Sequence, residues 1–490
     1  MLRIISLVSL LMSTPLLFMS ARYNYSYYGR VIHSSPGMTY VAYYNSATMG
    51  VPLQSPEDMT VFEDKVYVID SQTHALTILD HDFSVLHHEH TFTFAPSLDK
   101  AAAGVEPEDE ELTLFRPRGL DVRDSGIYIC DTANHRIVKL DHDLRVVGVF
   151  HDIEDPTFET ISFEPMKITV DSSERMYVVA RNVYEGIVEL GSEGEFNRFT
   201  GVNPLTPNPL EILRRSFMTE EQLAQLTLFL PTEYTNVHID HRSFIYATSR
   251  PTGAAAENMI QLINPKGIDI LVRNGYHPPM GDVHFIVGQN NYVVTGPSRL
   301  VSIVSTDHGI YTVLDQRRSR LFTYDAQGNL LYINGDEGAQ SDRFSEGVAI
   351  AYFGDDILVL DRGTRTIVHY RPSEFGRAVN QAIAHQEVGE FEEASALWED
   401  VLMMNSNYET AYNGLGRYHL RAGNYQEAME YFRLGHDHYY YSKAFQLHRN
   451  NIIKDNFALI GAAALIVSGV FIGMKVRKTL KQGGTILYED

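Results

Sequence analysis

Cysteine is almost missing from this chain: Cys130 is the only one in 490 residues. A lone thiol excludes an intrachain disulfide and any zinc module that needs two or more cysteine ligands. Tryptophan is equally scarce, with Trp398 alone. Positive charge is in deficit too, since 40 Lys and Arg stand against 62 Asp and Glu, a formal charge of −22. That balance argues against nucleic acid as the main partner, because phosphate binding needs a net basic surface. Three catalytic signatures do not occur: the Gly-x-Ser-x-Gly elbow, the P-loop and His-Glu-x-x-His. What remains is ordinary globular composition, 44% hydrophobic and 21% charged, which excludes a disordered or fibrous chain. The length predicts roughly three domains.

Two apolar runs bear on the compartment. Arg3 precedes a mostly apolar stretch, Ile4 to Phe18, interrupted by Pro15. The pattern predicts a signal peptide over 1–21, with an uncleaved anchor as the alternative because Met19 is a poor −3 residue. The second run, Phe457 to Met474, carries no charge and reaches the minimum length for a bilayer of about 30 Å. Lys475, Arg477, Lys478 and Lys481 follow it, so the positive-inside rule predicts a cytoplasmic tail over 475–490. The expectation is a single-pass cell-membrane protein with its large N-terminal part outside.

Between these runs the chain repeats itself. Pro117 to Val147 (PRGLDVRDSGIYICDTANHRIVKLDHDLRVV) matches Pro56 to Leu86 (PEDMTVFEDKVYVIDSQTHALTILDHDFSVL) at a constant offset, and four more degenerate copies follow. Each copy alternates apolar and polar residues and ends in Asp-, Asn- or Gly-bearing turns such as LDHD and YDAQG. That is the pattern of a small antiparallel meander. Six such units predict a six-bladed β-propeller over 45–372. Residues 208–231 instead have helical spacing, with Thr219 and Gln222 as a capping box, and predict a helical insert. After Pro372 the period becomes helical. Gly389 and Gly423, Phe391 and Tyr425, Ala394 and Ala428, and Trp398 and Phe432 recur at one spacing over 375–455.

Two resemblances follow from these residues. Asp131, Asn134, Arg136 and Ile137 in IYICDTANHRIVKLD resemble an NHL repeat; Asp315 with Arg320 and Leu321 is a weaker match, and Asp70 and Asp361 keep only the acid. The helical part resembles a tetratricopeptide repeat, which implies a protein-segment binding surface; a rigid stalk is the alternative. Together the arrangement is similar to membrane-anchored propeller-plus-repeat proteins of Gram-positive bacteria, often associated with carbohydrate transporters. The resemblance implies an external binding or scaffold subunit whose partners are membrane-complex subunits, protein segments and, through Phe457 to Met474, the lipid bilayer. No cofactor is expected.

Candidate site residues come from the same repeats. On an NHL-like propeller the loops after each φ-Tyr-φ-φ-Asp run share one face. That face would carry Arg118, Asp131, His135, Arg181, Arg317, Arg318, Arg362 and Arg365, with Glu57 and Glu346 at the repeat place of Arg118. Such an Arg-rich mouth suits an anionic ligand or acidic partner. The competing reading is that several of these arginines brace the repeat aspartates, as expected for Arg136 with Asp131. An enzymatic alternative is a calcium-dependent lactonase of the gluconolactonase type, in which Glu57 or Glu346 would converge with Asn and Asp on one calcium. The Glu-Gly-Pro-x-Trp run typical of those enzymes does not occur. His87, His88 and His90 read as an exposed outer strand rather than a metal cluster, His436 to His438 as a polar helix end, and Cys130 as a buried inert thiol.

Overall fold

The computed structural model describes residues 23–101, 104, 106–151, 153, 155–159, 161–201, 233–250, 258–282 and 297–483. The expected signal peptide and helical insert lie outside the described residues. Two compact units divide the chain, Met1–Ala384 and His385–Asp490.

The first unit is a six-bladed β-propeller. Its innermost strands are Pro56–Phe62, Gly119–Arg123, Pro165–Val170, Tyr234–Ile239, Leu300–Ser305 and Gly347–Phe353, opening blades one to six. Each meets the innermost strand of the next blade, and the sixth meets the first, so the ring is closed. Within each blade consecutive strands pair antiparallel. The expected alternation fails on the middle strands. Val66 to Asp70 and Ala75 to Leu79 are buried throughout, because both faces of a middle strand meet a neighbouring blade. Only an outer strand has a solvent face, as in Val85–Glu89. His87 and His90 are exposed at that edge, and His88 Nδ1 lies 2.9 Å from Thr77 Oγ1.

Closure uses a strand that precedes the expected boundary at residue 45. Met38–Asn45 pairs with Thr366–Pro372 as the outer strand of blade six, in the register Thr366 to Asn45 through Pro372 to Met38. The first and last blades then share one apolar cluster, in which Met59, Val68 and Leu79 pack with Val348, Leu358 and Ile367. Further upstream, the hairpin of Tyr23–Tyr25 and Val31–His33 is latched to the ring. The Tyr23 and Tyr25 hydroxyls both donate to the buried Asp282 carboxylate, Tyr23 at 2.8 Å. Burial, then the Asp282 charge, pushes both phenol pKa values far up. No disulfide is needed when this much apolar surface is buried.

Glu374–Val388 follows the propeller in sequence. The second unit contains the helices Phe391–Met404, Glu409–Ala422, Tyr425–Leu434 and His438–Asp455. Small residues let these helices approach closely. A Cβ on Gly414 would stand 2.2 Å from the Trp398 indole nitrogen, and one on Gly416 would stand 2.6 Å from the Phe432 ring. Trp398 and Phe432 are accordingly buried. Asp437 caps the helix His438–Asp455 by accepting from the Tyr440 N–H, which explains the polar run around it. Among the described residues one helix, over Phe457–Lys481, is long and apolar enough to cross a membrane, with a mean hydropathy of 2.3 and an exposed apolar surface.

Trp398 makes the helical unit separately visible. We expect Gly414→Val to overpack the indole and destabilise that unit by about 2–3 kcal/mol. Intrinsic tryptophan fluorescence should then unfold at lower temperature while the far-UV β signal of the propeller keeps its midpoint.

Candidate functional site

The site begins with the carboxylate that ends the second strand of four blades. Each accepts backbone N–H groups from the segment leading into the innermost strand. Asp70 accepts from Gln54 and Ser55 at 2.7 and 2.9 Å, and Asp131 from Phe115 at 2.7 Å. Asp315 accepts from Arg299 at 2.8 Å, and Asp361 from Glu346 at 2.7 Å. Asp131 also takes the Arg136 Nε at 2.8 Å, the expected brace. Blades three and four have Ala180 and Ser249 where the others have the acid. There an ion pair spans the same gap: Arg181 to Glu164 at 2.7 Å and Arg250 to Glu233 at 2.9 Å. Blade six has both devices, because Arg362 pairs with Glu346 and, at 3.1 Å, with Glu57.

These loops form one mouth of the central channel. A cavity of about 270 Å³ is lined there by six basic residues, Arg118, Lys167, Arg181, Arg250, Arg299 and Arg362, and by the acids Glu57 and Glu233. Lys167 is committed to Asp58 at 2.8 Å. Arg118 and Arg299 differ from the rest, since neither guanidinium has a hydrogen-bond or ion-pair partner among the described residues. Burial, with added repulsion from Arg181, Arg362 and Arg116, pulls Arg118 below the usual arginine range against the attraction of Glu57. Burial and the neighbouring Arg250, Arg362 and Arg317 do the same to Arg299, against Glu346. A cationic group unsettled by its own neighbours is stabilised by an incoming anion.

Of the arginines and glutamates expected from sequence, Glu57, Arg118, Arg181 and Arg362 line this cavity, and Glu346 reaches it through Arg362. The other three arginines do not line it. Arg318 is fully buried beside Asp315 and Asp282, at 3.4 and 3.9 Å, so it braces the blade instead. Its place one residue further into the turn aims it inward. Arg317 is exposed, and Arg365 is exposed in a left-handed turn with φ 59°. His135 is held by Ser162 Oγ and the Phe163 carbonyl, at 3.0 and 3.2 Å. Sequence reasoning missed Arg250, Arg299, Glu164 and Glu233. All four stand beside the ends of the first two strands, a place the register reveals and the degenerate repeats conceal.

Calcium does not fit the expected carboxylates. Glu57 and Glu346 converge on Arg362, which supplies the positive charge itself. Among the described residues no group of His, Cys, Asp and Glu side chains is placed to hold a metal ion. Burial pushes the Cys130 thiol well up, so it is not a thiolate nucleophile.

Beneath the mouth the channel turns acidic. Its waist, a cavity of about 220 Å³, is lined by Asp58, Asp121, Asn236 and His238 among others. Side chains here tie adjacent blades together. Asp58 accepts from the Leu120 N–H at 3.1 Å, Asp121 from Val170 at 2.7 Å, and Ser302 from Ile350 at 3.1 Å. Burial raises the pKa of Asp58 and Asp121, with Lys167 and Arg123 respectively opposing it.

No family model matches the chain, and no curated protein matches it. Solved structures with a similar fold exist. A streptogramin B lyase structure shares 13% identity, covers 69% of this chain and 100% of its own, and has a TM-score of 0.41. Virginiamycin B lyase from Staphylococcus aureus shares 11% identity over 68% of this chain and 88% of its own, at a TM-score of 0.38. A protein of unknown function from Bacteroides thetaiotaomicron shares 9% over 70% and 80%, at 0.41. At these values no chemistry transfers to this chain.

His238 gives a pH test of the waist. Burial and the nearby Arg123 lower its pKa from 6.5 to about 3, against Asp240, and its Nε2 lies 3.2 Å from Ser305 Oγ. It stays neutral in the fold while the unfolded chain protonates it below about pH 6.5. The wild type should therefore lose stability relative to His238→Asn as pH falls from 6.5 towards 3, measured by denaturant midpoints at each pH.

Proposed function

We propose that this is a membrane-anchored external binding or scaffold protein whose propeller mouth takes an anionic ligand or acidic group. The observation that carries this is the pair of arginines, Arg118 and Arg299, without partners among the described residues, in a basic mouth on a chain of net charge −22. The NHL-like turn at Asp131 to Ile137 supports a binding propeller, a fold that hosts binders and enzymes alike. The paired helices with Gly414 against Trp398 support a tetratricopeptide-like module, whose role is to hold a protein segment. The apolar helix over Phe457–Lys481 supports membrane anchoring, and the basic residues after Met474 support a cytoplasmic tail. A role beside a carbohydrate transporter rests on the resemblance in overall arrangement.

Two experiments test this reading. Titrating the detergent-solubilised full chain with pyrophosphate should give saturable heat that weakens as salt rises; no binding at low salt overturns the mouth assignment. For topology, the buried Cys130 makes the wild type silent to an impermeant maleimide. In intact cells Glu193→Cys should label and Thr485→Cys should not; the reverse pattern overturns the orientation.

A further inference from the structure

The two arginines without partners among the described residues are not neighbours. Arg118 immediately precedes the innermost strand of blade two, and Arg299 that of blade five. In a closed ring of six, with innermost strands contacting in the order one to six, blades two and five face each other across the axis. Both guanidiniums line the same cavity of about 270 Å³ at one end of the channel. The arginines between them are already neutralised: Arg181 and Arg250 on one side by Glu164 and Glu233, Arg362 on the other by Glu346 and Glu57. Unspent positive charge therefore sits at two opposed points rather than as one patch. Below them Asp58 and Asp121 line the waist, each already paired with a basic side chain, Lys167 and Arg123.

Resting on the anion-binding reading of the mouth, we propose that its ligand is a small molecule carrying two separated anionic groups, one held by Arg118 and one by Arg299 across the channel. A guanidinium fork grips a carboxylate or a phosphoryl group in two parallel hydrogen bonds, so either chemistry fits each end. The cavity is slightly below the usual size of small-molecule sites, roughly 300–1,000 Å³, which suits a compact ligand rather than a folded partner. Two-point attachment sets the requirement: the second group binds at the effective concentration created by the first.

The test is calorimetry on the solubilised full chain with α,ω-dicarboxylates and α,ω-bisphosphonates of two to six carbons, against butyrate and methylphosphonate. The expected result is an optimum chain length and at least about tenfold tighter binding of the best two-group probe than of its one-group counterpart. The two series tell carboxylate from phosphoryl recognition. Arg118→Gln and Arg299→Gln should each reduce the two-group probe to the one-group level, and the double variant should bind neither. Arg145→Gln, on the exposed surface, should bind as wild type. Thermal unfolding confirms that each variant is folded. Equal affinity for one- and two-group probes, with binding still lost in Arg118→Gln, overturns the two-point ligand and leaves the anion-binding mouth standing. No binding of any probe overturns both.

Discussion

The mouth depends on one interaction, the buried carboxylate that closes the second strand and accepts N–H groups from the chain entering the innermost strand. A meander alone does not fix its entry loop, because that loop lies outside the strand ladder. Asp70, Asp131, Asp315 and Asp361 fix it from within the blade, all buried. Each exchanges a solvated charge for two or more charge-assisted hydrogen bonds, the condition under which a buried acid is tolerated. Among the residues so held is Arg299, whose side chain lines the mouth.

Where the acid is missing, in blades three and four, an ion pair spans the same gap, and blade six carries both devices. Blades three and four consume Arg181 and Arg250 as structural ties. Blades two and five have Asp131 and Asp315, so Arg118 and Arg299 are relieved of that duty. Thr132 and Gln316 follow those acids where blades three and four have arginine, which removes the partner position as well.

Much of this was legible in the chain. The constant offset between Pro56–Leu86 and Pro117–Val147 marked the blades, and Asp131 with Arg136 was readable as a brace because both stand in an undegraded repeat. The helical unit was readable because Gly389 and Gly423, Phe391 and Tyr425, Ala394 and Ala428, and Trp398 and Phe432 recur at one spacing. The closing strand Met38–Asn45 was not readable, since its partner Thr366–Pro372 lies at the other end of the propeller and nothing local marks the pairing. Arg318 misled for a related reason. Arg317 and Arg318 are identical side chains in one turn, and only the backbone path sends one into solvent and the other against Asp282.

Composition and local charge point in opposite directions here, and the register reconciles them. A chain with 62 acids and 40 bases has no general basic surface. Its aspartates are drawn inward at the strand ends and the waist, where backbone N–H groups satisfy them. Basic side chains at neighbouring positions are left on the rim because a guanidinium on a long stem reaches water where a short carboxylate cannot. On the proposed reading, an anion is drawn to one end of one channel of a chain whose net charge is −22. Selectivity of that kind needs the overall acidity as much as the arginines, since an acidic exterior discourages weak binding elsewhere.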